Sequence, residues 1–66
     1  MKIILNGKAV EVEQGLSIAD LVMQKKLKPD AVIVEINYEL IKAKDWQARK
    51  LKDDDQVEIL HFVGGG

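Results

Sequence analysis

Asn6-Gly7 is the dipeptide that most restricts this chain. A two-residue hairpin turn needs positive φ at both central positions, and asparagine and glycine reach that region at least cost. Residues 2–5 lead into it as a short apolar run. Lys8, Ala9, Val10, Glu11, Val12 and Glu13 leave it in strict alternation, with both valines on one face. The first two strands must therefore lie antiparallel, half-buried, with Val10 and Val12 inward. A chain of 66 residues that starts this way can bury only about 60% of its unfolded surface. It has room for one small core and no second domain.

Gln14-Gly15 ends the alternation. Ser17 is a good N-cap and Asp20 follows three positions later, an acidic version of the capping box that also sets negative charge at a helix start. Ile18, Leu21 and Val22 fall at helical spacing, with the stem of Lys25 next on that face. Lys25, Lys26 and Lys28 crowd the far end, and Pro29 stops the run. The pattern predicts one helix over 18–27. Residues 31–36 are β-branched and read as a strand. Asn37 marks a turn, Leu40-Ile41 a short strand, 44–50 an irregular polar segment around Trp46, and 56–62 the last strand. This order predicts an α+β fold with one helix on one face of a mixed sheet of four to five strands. The last strand is as apolar as the first and is expected beside it, parallel, at the centre. That arrangement is the β-grasp.

Strand parity sorts the side chains. Ile3, Leu5, Val10, Val12, Val32, Val34, Ile36, Val57 and Ile59 face the helix and pack on Ile18, Leu21 and Val22. Ile4, Ile33, Leu60 and Phe62 share the opposite parity with Lys2, Glu35 and Glu58. They form an apolar patch rimmed by charge, the signature of an interaction surface, unless the Trp46 segment folds over it. His61 takes the parity of Val57 and Ile59, so it turns toward the helix side near the end of the sheet; with no nucleophile beside it, it reads as a strand residue.

Ten Lys plus Arg against eleven Asp plus Glu leave a net charge of -1, and the chain holds one Trp, one Tyr and one Phe. Nothing here suits nucleic acid. The absence of cysteine removes disulfides, thiolate metal sites and iron–sulfur clusters. Ile3-Ile4-Leu5 is too short for a signal peptide or a membrane helix, so a cytoplasmic monomer that touches no membrane is expected. Asp53-Asp54-Asp55 lacks the spacing of a cation loop; a solvated turn is expected, and no metal site. Trp46 is expected to be buried.

Gly64, Gly65 and Gly66 follow the last strand directly. Such an end is commonly a frayed linker. It is also what a reacting C-terminus requires. Three extended residues reach roughly 10 Å, and glycine brings no Cβ into a narrow cleft. The expected division is a domain over 1–63 and a flexible tail over 64–66.

The layout, the Asn6-Gly7 hairpin, the acidic turn at 53–55 and the closing His61-Phe62-Val63-Gly64-Gly65-Gly66 resemble the bacterial sulfur-carrier family of thiamine biosynthesis, over essentially the whole chain. Two departures stand out. Asp54 occupies a turn position where the family often has glycine, and three glycines close the chain where two suffice. The resemblance implies a ubiquitin-like β-grasp that is not an enzyme. In it the Gly66 carboxylate would be adenylated by a ubiquitin-activating-type partner using ATP and Mg²⁺, with no cofactor held by this chain. A persulfide on a partner would convert the adenylate to a thiocarboxylate, and thiazole synthase would receive the sulfur. The molybdopterin-pathway carriers, ubiquitin-like protein modifiers and a β-grasp binding module with an incidental tail stay open beside it.

Overall fold

The computed structural model describes residues 1–62. The predicted tail, Gly64 to Gly66, lies outside the described residues, as does Val63.

The hairpin forms as its turn dictates. β1 (Lys2–Leu5) and β2 (Lys8–Glu11) pair antiparallel, with Leu5 opposite Lys8. Asn6 has φ 48° and Gly7 φ 85°. β2 stops two residues before the predicted end, and the Val12 N–H donates to the Met1 carbonyl. As an edge strand it leaves Val10 and Val12 half-buried.

Helix α1 (Ile18–Gln24) starts on a complete capping box. The Ser17 Oγ accepts from the Asp20 N–H at 3.0 Å, and Asp20 Oδ2 accepts from the Ser17 N–H at 3.1 Å. The helix ends earlier than the spacing predicts. Lys26 turns left-handed at φ 59°, its N–H donates to the Met23 carbonyl, and the Leu27 N–H reaches back to the Val22 carbonyl. This is a Schellman stop. Lys, not Gly, takes the left-handed position, so the sequence carries no stop signal there. Lys25 is consequently exposed; its stem does not extend the apolar face. Pro29 does not end the helix either; it opens a single 3₁₀ turn over Pro29–Ala31.

β3 (Val32–Ile36), β4 (Glu39–Ile41) and β5 (Gln56–His61) complete a five-stranded sheet in the order β2-β1-β5-β3-β4. β5 runs parallel to β1 and antiparallel to β3, the central placement expected from its apolar content. Ile3, Val34 and Val57 have no exposed surface, Ile36 almost none, and they meet Ile18, Leu21 and Val22 in one cluster. Full burial of each such side chain contributes about 1.5–3 kcal/mol.

Trp46 is buried, and its indole N–H donates to the Ile41 carbonyl at 2.8 Å. Its segment closes the helix side. The Trp46 carbonyl accepts from Ala19, the Arg49 carbonyl from Ile18, and Leu51 N–H donates to Leu16. Leu16 and Leu51 join the core there; the sequence reading did not place either one inside.

The acidic turn is only partly solvated. Asp53 accepts from the Lys2 N–H and Asp54 pairs with Lys2 Nζ, both on the surface. Asp55 is buried at 6% exposure. Asp54 stands at φ 68°, the left-handed geometry that aspartate tolerates better than most residues.

Candidate functional site

Among the described residues, no layer covers the face of the sheet away from α1. Because the Trp46 segment packs on the helix side, it leaves the opposite face open. Leu60 and Phe62 are 45% and 56% exposed. Ile33 sits directly opposite Leu60 on the neighbouring strand. The Phe62 N–H donates to the Ala31 carbonyl, which carries the β3–β5 ladder one residue past the strand. Ile33, Leu60 and Phe62 thus gather where β5 ends.

Ile4 does not join them. It aligns with Gln56 on β5, and Leu60 lies four residues farther along, about 13 Å at strand rise. Glu58 and Glu35, directly opposed, occupy the space between. The expected single patch is therefore an apolar cluster at the β5 exit and a separate, half-buried Ile4. Leu40 was missed. It lies opposite Glu35 and is 56% exposed, on the same face. The half-burial of Ile41 beside it gives the signal, since alternation then sends Leu40 outward.

His61 turns to the helix side, as parity predicts. It lines a groove of about 380 Å³ with Val10, Lys25 and Leu27. Among the described residues no group of three or more His, Asp or Glu side chains converges as metal ligands. The side chains of Asp53 and Asp54 go to the backbone N–H and the ammonium of Lys2, and that of Asp55 to Asn37, so they do not converge. No described helix is long and apolar enough to cross a membrane. One carboxyl is held below its ordinary range. Asp20 is lowered by the hydrogen bonds it exchanges with the Ser17 backbone and side chain, a helix-capping role remote from the β5 exit.

The ThiS family matches residues 3–66. The chain belongs to the ThiS family. The sulfur carrier protein ThiS of Bacillus subtilis is 43% identical over 63 residues, covering 94% of this chain and 96% of its own length. A thiazole synthase of Magnetococcus marinus is 39% identical over the whole chain. This chain spans only 20% of that relative's length. The crystal structure of the thiamine biosynthesis protein ThiS from Geobacter metallireducens superimposes with a TM-score of 0.87 at 35% identity, each chain covered completely. The resemblance to the sulfur carriers and the ubiquitin-like β-grasp drawn from the sequence are both borne out. In this ThiS-family fold the last strand is central, between β1 and β3, and its exit end past Val57 is paired with β3.

Proposed function

We propose that this chain is a sulfur carrier of thiamine biosynthesis, and that its reacting group is the C-terminal carboxylate of Gly66, with Gly64 and Gly65 as the narrow tether. The family match carries this reading, because it runs through residue 66 and so includes the glycine end. A carboxylate has no good leaving group. A partner of the ubiquitin-activating type, using ATP and Mg²⁺, joins it to AMP and releases pyrophosphate; metal and cationic side chains of that partner stabilise the phosphoryl charge. The terminal sulfur of a persulfide then attacks the acyl carbon and AMP leaves. A thiol cleaves the resulting S–S bond by exchange, which leaves a thiocarboxylate on Gly66 and a disulfide on the donor side. Thiazole synthase is the proposed acceptor, in keeping with the relative of that name. The chain supplies the carbonyl and the docking face, and its partners supply catalysis, in the cytoplasm.

Docking is assigned to the open face at the β5 exit. Ile33, Leu60 and Phe62 lie at the root of the tail, with Ile4 as an outlying contact. An exposed aromatic beside aliphatic residues is the composition of an interface centre.

Intact mass spectrometry after incubation with the adenylating partner, ATP and a sulfur donor tests the reading. The parent protein should gain about 16 Da as sulfur replaces oxygen, while deletion of Gly66 should abolish the gain and leave the melting temperature unchanged. Sulfuration of the truncated chain would sink the proposal.

A further inference from the structure

The groove beneath the β1–β2 hairpin has no part in the carrier reading. Its floor is apolar, built from Leu5, Val10, Leu27 and Ile59. Lys8, Lys25 and His61 form its rim, and among the described residues no carboxylate lines it. Both lysines are exposed, and neither makes an ion pair among the described residues. At about 380 Å³ the space fits a few side chains of a ligand or peptide.

A free strand edge opens beside this groove. The Gln56 carbonyl accepts from the Asn37 N–H and the Phe62 N–H donates to the Ala31 carbonyl, both on the β3 side of β5, so the odd-numbered residues of β5 turn their N–H and C=O toward β1. The Val57 carbonyl accepts from Asn6. At Ile59 the side chain of Asn6 takes over from β1. Asn6 Oδ1 accepts from the Ile59 N–H at 2.8 Å, and Nδ2 donates to the Ile59 carbonyl at 3.4 Å. β1 pairs with β5 only as far as Val57, so among the described residues no strand lies beside the His61 edge. An unpaired edge next to an apolar floor is a template for strand addition.

We propose that this groove receives an extended acidic segment of a protein partner. The segment pairs with the β5 edge at His61, lays its apolar side chains on Leu27 and Ile59, and sets a carboxylate between Lys8 and Lys25. Two unpaired cations with no acid among the lining residues select against a basic segment as firmly as they favour an acidic one. The site lies on the helix side, so it is separate from the open-face docking surface. It flanks the same end of β5, and one partner can grip that end from both sides.

The test does not depend on the carrier reading. The ¹⁵N-labelled protein is titrated with a short capped peptide alternating valine and aspartate, and with its valine–lysine counterpart. The aspartate peptide should shift the His61 and Lys25 amides and the Asn6 side-chain amide, and the lysine peptide should not. The double variant Lys8→Glu/Lys25→Glu, exposed at both positions, should keep its melting temperature and lose the shifts. Absence of shifts with the aspartate peptide, or shifts that survive the double variant, would overturn the proposal. In a second arm the adenylating enzyme is titrated with parent and double variant. KM should rise about tenfold with kcat unchanged, and the salt dependence of KM should flatten. An unchanged KM would show that this enzyme is not the partner that uses the groove and would count against the proposal, whereas a parent that is not adenylated at all would overturn the carrier reading and leave the peptide titration to decide the groove.

Discussion

The two ends of β5 are built by different rules. At its start the Gln56 backbone and the side chains of Asn37 and Asp55 are tied into one network. The Gln56 N–H donates to Asn37 Oδ1, the Asn37 N–H donates to the Gln56 carbonyl, and Asn37 Nδ2 donates to Asp55 Oδ1 at 3.0 Å. Asp55 Oδ2 also accepts from the Lys52 N–H. At the other end one asparagine side chain stands in for a missing strand, and Leu60, His61 and Phe62 lie exposed. The first end anchors the strand. The second leaves apolar and backbone groups available to something outside the chain. The contrast teaches where this small domain can give up stability for contact: at the end from which the C-terminal residues depart.

The anchored end should respond most strongly to substitution. Asp55→Ala removes a buried acceptor and leaves Asn37 Nδ2 and the Lys52 N–H without a partner. The expected loss is about 2–3 kcal/mol, read as an earlier urea midpoint with unchanged m-value. Binding to partners at the β5 exit should be unaffected at temperatures where the variant stays folded. A loss below about 0.5 kcal/mol would break the comparison, since the network would then be ornamental.

The exposed end should show the reverse. Leu60→Asp and Phe62→Asp remove little buried area, so stability should change by no more than about 0.5 kcal/mol. Partner affinity should fall about tenfold or more, as for a residue at an interface centre, measured by calorimetry with the proposed adenylating partner. A large drop in melting temperature with intact binding would mean that these side chains serve the fold.

Legibility in the sequence followed the range of the forces involved. The hairpin, the capping box and the central pairing of the last strand rest on local turn chemistry and on alternation, which the residues display directly. Asp54 at positive φ was signalled by the family resemblance, in which glycine often takes that turn position, and not by the local residues. The helix stop at Lys26 was not, because a lysine held left-handed by two backbone hydrogen bonds has no compositional mark. Leu16 and Leu51 were missed because they flank irregular segments, where no period assigns a face; only the closing of one segment on the other buries them. Ile4 was grouped with Leu60 on parity alone. Parity gives the face, but the offset of parallel β1 against β5 sets the distance along it, and that offset depends on the whole sheet.

Asp20 offers the mildest and sharpest version of the comparison, because it makes the same kind of carboxylate-to-backbone bond as Asp55, but in water. Its folded pKa lies below the unfolded value through its bonds to Ser17. A depressed carboxyl pKa adds stability that is present above the unfolded pKa, about 3.9, and is lost as pH falls through the folded value. Asp20→Ala should therefore melt lower than the parent at pH 7. The gap should begin to close near pH 4 and shrink toward zero at lower pH, because the Ser17 hydroxyl accepts from the backbone N–H of residue 20 in both proteins. The Asp20→Ala gap at pH 7 should be clearly smaller than that of Asp55→Ala, since water replaces what the exposed bond provided. Equal gaps would show that burial is not what makes the start of β5 the anchored end.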